Sequence, residues 1–127
     1  MTSGERLLKY PWLLPIIISH LYGIREPKDI AEWLGISSKT AKSLVYYASR
    51  IPEIYRVKID CYARIDDRSF GAIINRYVIV ARIRKKKIAG YTLVSTENRG
   101  LISISGRAPK WALEIAEKIR GMCGEGV

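Results

Sequence analysis

A chain of 127 residues with 48% hydrophobic and 9% aromatic residues has enough apolar material for a packed core, which excludes disorder and suits one compact domain. Its 22 Lys and Arg against 12 Asp and Glu leave a net charge of +10, so its field attracts polyanions: DNA, RNA or an anionic membrane surface. The longest apolar run, residues 12–18, contains Pro15 and is too short to cross a bilayer, so no membrane partner is expected.

The first 53 residues read as helical. Leu7, Leu8 and Tyr10 precede Pro11, and residues 12–22 form a mostly apolar helix that Pro15 interrupts or starts and Gly23 stops. Residues 1–9 run into it without a small-residue cleavage site, so no signal peptide is expected and a cytoplasmic location is. Pro27 opens a second helix over residues 28–34, before Gly35. Ser37 or Ser38 caps a third, with Ala41, Leu44, Val45 and Ala48 at helical spacing, and Pro52 ends it.

The period then changes to two. Over residues 54–65, Tyr55, Val57, Ile59, Cys61, Ala63 and Ile65 alternate with Arg56, Lys58, Asp60, Tyr62 and Arg64, the pattern of a half-exposed strand. Residues 66–69 read as a turn or the cap of a short helical turn. Residues 77–84 form a second strand, 84–87 a basic tip, 88–95 a third strand, Asn98-Arg99-Gly100 a turn and 101–105 a fourth strand. Pro109 starts a closing helix to about Gly121, with Ala112, Ile115, Ala116 and Ile119 on its inner face. The expected fold is α+β: a helical unit over residues 1–53, then a four-stranded antiparallel sheet and C-terminal helix over 54–127 that share its core. One sheet face is polar, so the helices should cover the other.

Residues 1–53 carry a net +2, residues 54–107 a net +8 and residues 108–127 none. Twelve cations make up the middle excess, among them Arg68, Arg76, Arg99 and Arg107 besides the site residues named next. Arg56, Lys58, Tyr62 and Arg64 share one face of the first strand, and Arg82 and Arg84 one face of the second, with Lys85, Lys86 and Lys87 at the tip. If the two faces coincide, with Tyr77 and Tyr91 beside them or beneath, cations would track phosphates while rings stack on unpaired bases. Paired bases hide their faces, so single-stranded DNA is the favoured partner, with RNA as an alternative.

Residues 29–44, Asp-Ile-Ala-Glu-Trp-Leu-Gly-Ile-Ser-Ser-Lys-Thr-Ala-Lys-Ser-Leu, resemble a helix-turn-helix. Small Ala31 allows close crossing, Gly35 supplies the turn, and Ala41 replaces the usual larger aliphatic residue. The resemblance implies Ser38, Lys39, Lys42, Ser43 and Tyr46 toward a major groove, and with them a dimeric regulator reading duplex DNA. A third reading is a non-catalytic subunit of a nucleoprotein complex. Helices, then a basic and aromatic antiparallel sheet, then a last helix also resemble in architecture the ThermoDBP family, single-stranded-DNA-binding proteins of hyperthermophilic archaea. The resemblance implies a cleft of aromatic and basic residues and a homo-oligomer. This chain departs from that pattern in having one Phe, Phe70, and no C-terminal leucine zipper. The absence of Gln and the presence of two Asn fit a thermophile.

No enzyme and no cofactor are expected. The single His, His20, sits in an apolar helix, and neither a Cys/His metal cluster nor a phosphate-binding Gly-rich loop is present. Asp60, Asp66 and Asp67 are the nearest approach to a nuclease site, although neighbouring carboxylates in a strand or turn point apart. Gly106-Arg107 precede the last helix as a phosphate holder that Pro109 weakens by removing a donor. Cys61 and Cys123 show no spacing of a disulfide framework and read as reduced structural thiols, as in an intracellular protein. Trp12, Trp33 and Trp111 lie in amphipathic helices and read as core.

Overall fold

The computed structural model describes residues 7–74, 77–96, 100–103 and 108–123. Asn75, Arg76, Asn98, Arg99, Ser105, Gly106 and Arg107, all used in the sequence reading, lie outside the described residues. Residues 7–9 are helical, and a 3-10 turn, Pro11–Leu13, leads into α1, Leu14–Leu21. Pro15 falls in the first turn of α1, where a missing N–H costs nothing. Leu14, Pro15, Ile16, Ile17, Ile18 and Ser19 are all buried, so α1 is the central helix of the N-terminal unit. Ser19 satisfies its hydroxyl by donating to the Ile16 carbonyl at 2.8 Å.

α2, Pro27–Leu34, opens on Pro27 and closes on Gly35, whose φ of +72° is left-handed. The Gly35 and Ile36 amides both donate to the Ala31 carbonyl, at 2.9 and 3.0 Å, which turns the chain within three residues. Ser37 then caps α3, Ser38–Ser49, by accepting from the Thr40 amide at 3.1 Å. The two helices and tight turn expected from residues 29–44 are therefore present.

The alternation expected to make one strand of residues 54–65 does not do so. Glu53 is left-handed (φ +60°), residues Ile54–Arg56 form a 3-10 turn, and β1 is only Cys61–Asp66. Ile54 and Val57, three apart, are both buried, so the first half follows a helical spacing that the period of two masked. The sheet has a fifth strand, β2, Ser69–Ile74, which the sequence leaves unassigned but for Ser69 at the end of the expected turn. It is covered on both sides and holds Gly71 and Ala72, so it shows no apolar–polar alternation. With β3 (Tyr77–Arg84), β4 (Lys87–Thr96) and β5 (Gly100–Ser103) it forms an antiparallel meander in the order β1-β2-β3-β4-β5.

Both faces of this sheet are covered, not one. Phe70, Ala72, Ile74, Ile79, Ala81 and Ile83 join the N-terminal helices in one apolar cluster. Val78, Val80 and Leu93 face the other way, against Ala112, Ile115, Ala116 and Ile119 of α4, Lys110–Met122. The inner face of α4 is the one expected. Its C-terminal end is tied to the start of β1 by a Cys61–Cys123 disulfide, with the Cα atoms 6.1 Å apart. This overturns the reading of two reduced thiols: they are 62 residues apart, and only the packing of α4 on the sheet brings them together.

Candidate nucleic-acid interface

The sheet face proposed as a stacking surface does not exist as a surface. Directly paired residues of an antiparallel sheet share a face. Arg64 pairs with Phe70 and Phe70 with Ala81, so Arg64 lies on the side of the N-terminal helices. Arg82 pairs with Ser69 and lies on the side of α4. The two sets of cations therefore occupy opposite faces.

Each side chain is engaged by what covers it. The Tyr62 ring packs on the N-terminal core, 6.1 Å from that of Tyr22. The Arg64 guanidinium lies 4.4 Å from the centre of the Trp33 ring and 5.6 Å from that of Phe70. Its Nη2 donates to the Trp33 carbonyl at 2.7 Å and to the Asp67 carbonyl at 2.9 Å. Arg82 lies 4.9 Å over Trp111, and Tyr91 packs against the core beneath α4. Arg56 sits outside the sheet, 4.0 Å from Glu53 at the surface, and Lys58 is exposed in the segment before β1. The three tryptophans are half-buried against the two cores, as expected.

What the fold does gather is one end of the sheet. The β1–β2 turn and the β3–β4 turn project from the same edge, joined by the Ile83 amide donating to the Arg68 carbonyl at 2.7 Å. Arg84, Lys85, Lys86 and Lys87 are exposed there and, among the described residues, make no ion pair within 4.0 Å. A cavity of about 590 Å³ lies between this rim and the end of α2, lined by Lys85, Lys86, Arg64 and Arg68 together with Trp33 and Gly35. A second cavity, of about 460 Å³, lies between Arg68, Arg82 and Arg84. Arg68, counted in the charge but not chosen as a site residue, lines both.

The exposed aromatic surface is on α3 instead of the sheet. Lys39, Lys42, Tyr46 and Arg50 are exposed at i, i+3, i+7 and i+11, a stripe along one helix face of about 16 Å. Arg50 lies 5.7 Å over the Tyr46 ring. Tyr46 meets Tyr47 edge-on at 5.7 Å, Tyr47 meets Trp12 at 5.9 Å, and Trp12 meets Tyr10 at 6.4 Å. Tyr46 and Tyr47 are 56% and 54% exposed, so each ring keeps part of its surface in solvent beside these contacts. Helical spacing within residues 39–50 carried this signal; the sequence reading placed its stacking rings in the strands.

Of the residues considered for catalysis, Asp66 and Asp67 line the two cavities, but among the described residues no group of three metal-binding side chains forms. Asp66 accepts from the Arg68 amide at 2.8 Å. His20 stacks on Tyr55 at 4.5 Å, and burial, with Arg25 nearby, lowers its pKa from the usual 6.5. No described helix is long and apolar enough to cross a membrane. No protein-family model, curated protein or solved structure matches this chain.

Proposed function

We propose that this chain is a non-enzymatic nucleic-acid-binding protein that holds single-stranded DNA with little sequence preference. The observation that carries the reading is the meeting of the cationic β3–β4 tip with the Gly35 turn across one cavity. It sets Lys85 and Lys86 opposite the end of α2 and the Gly35 turn that leads into α3, whose outer face carries further cations, Lys39, Lys42 and Arg50, and the half-exposed rings of Tyr46 and Tyr47. Cations in such a row neutralise successive phosphates, and an exposed ring stacks on an unpaired base for about 1–3 kcal/mol.

A second reading has its own support. The Gly35 turn and Ser37 cap give α3 the setting of a recognition helix, with Ser38, Lys39, Lys42 and Ser43 exposed, which suits duplex DNA read by a homodimer. A cytoplasmic location belongs to both readings; a structural disulfide is compatible with it in hyperthermophiles. Fluorescence anisotropy with single-stranded DNA, duplex DNA and RNA separates them. Tyr46→Ser with Tyr47→Ser is expected to weaken single-strand binding at least tenfold and duplex binding by less than threefold. Tighter duplex binding by the unaltered protein, with single-strand affinity indifferent to the tyrosines, would establish the duplex reading instead.

A further inference from the structure

We propose that the cavity between the Gly35 turn and the β3–β4 tip is a pocket for a phosphate monoester, the phosphorylated end of a bound strand. This rests on the nucleic-acid reading and specifies what one part of the surface holds. Four cations line the cavity, Arg64, Arg68, Lys85 and Lys86, against two acidic residues, Glu32 and Asp67. The local excess of two positive charges matches a monoester, which carries about −1.5 to −2 at pH 7, better than the single charge of an internal phosphodiester. A volume of about 590 Å³ accommodates a terminal nucleotide, and Trp33 and Ile83 give the pocket an apolar part.

Two features show the pocket prepared for an anion. Arg64 is fixed by its ring contact with Trp33 and its two carbonyl bonds, while its Nε is buried without a hydrogen-bond partner among the described residues. A buried donor of that kind costs about 1–3 kcal/mol, a loss of stability accepted in holding the guanidinium at the cavity wall. The second feature is the turn itself. Lys85 and Lys86 are both left-handed, with φ of +53° and +62°, the conformation that Asn-Gly adopts without strain in a two-residue hairpin turn. Lysine in the left-handed region is strained, at about 1 kcal/mol or more for each residue. The turn thus gives up stability and gains two ammonium groups at the mouth of the cavity.

The turn chemistry also supplies the variant for the test. Lys85→Asn with Lys86→Gly removes both cations and relieves the strain, so its unfolding midpoint should equal or exceed that of the parent. Internally labelled single strands are compared with a 5′-phosphate, a 3′-phosphate or two hydroxyl ends. The parent is expected to bind one phosphate-ended strand about tenfold more tightly than the hydroxyl-ended strand. Adenosine monophosphate should abolish that preference while adenosine does not. It should also shrink below about pH 6, where the monoester takes up its second proton. In the variant the ratio should fall to about one, whatever affinity both strands lose together. Equal binding of all three strands by the parent, or a preference that survives in the variant, overturns the pocket and leaves the nucleic-acid reading standing. Failure of every strand to bind overturns the reading itself.

Discussion

Gly90 shows how one position shapes the exposed ring row. It pairs with Ala81 in mid-sheet, and a Cβ there would overlap the backbone N and Cα of Trp12. The absence of a side chain lets the Pro11–Leu13 turn lie directly on β4, where Thr92 also donates to the Leu8 carbonyl at 3.0 Å. Since the neighbour is backbone and cannot rotate away, Gly90→Ala should cost about 3 kcal/mol, the upper end for overpacking, and displace the Trp12 ring from Tyr47. Urea denaturation would measure the first effect, and an unchanged midpoint would refute the close approach. Gly71, whose added Cβ would meet the Ile119 side chain at 3.0 Å, should tolerate Ala better. At this scale the sequence identified Arg64, Arg82 and the lysine run as cations worth following. It did not reveal that Arg64 and Arg82 lie on opposite faces, because that depends on the register through Phe70 and Ser69.

Among the elements, α2, α3 and α4 were legible because capping residues, glycine and proline mark their ends and one face of each is apolar. β2 was not, since a strand buried on both sides loses the period of two that identifies strands. The 3-10 turn at Ile54–Arg56 was hidden for the opposite reason: residues 54–57 satisfy two periods at once, and the left-handed Glu53 decides between them. α4 depends on more than its apolar face. The Cys61–Cys123 bridge spans 62 residues, and a loop of that size contributes about 4 kcal/mol by constraining the unfolded chain. Replacing both cysteines with serine, or adding dithiothreitol, should lower the unfolding free energy by about 3–4 kcal/mol and speed amide exchange in α4 first. If reductant leaves the denaturation midpoint where it was, the bridge adds nothing to stability.

For the molecule as a whole, the division of charge marks residues 54–107, and the fold moves the exposed part of that charge from the sheet faces to the rim. The positive excess of residues 54–107 was visible in the sequence. That the sheet would be covered on both sides, so that its usable cations sit on the rim, required the placement of α4 and the meander order. The rim then adjoins the turn between α2 and α3, and two regions 50 residues apart in the chain, around Gly35 and around Lys85, form one surface. The central claim is that this surface neutralises nucleic-acid phosphates, and the slope of the logarithm of the association constant against log salt concentration measures this directly. Each phosphate contact on a single strand contributes about −0.7 to that slope, so four to six contacts predict about −3 to −4 for the parent protein. Lys85→Gln, Lys86→Gln and Lys87→Gln together should make it shallower by about 2. A slope near zero in the parent, or one unchanged when the three lysines are gone, would contradict the account.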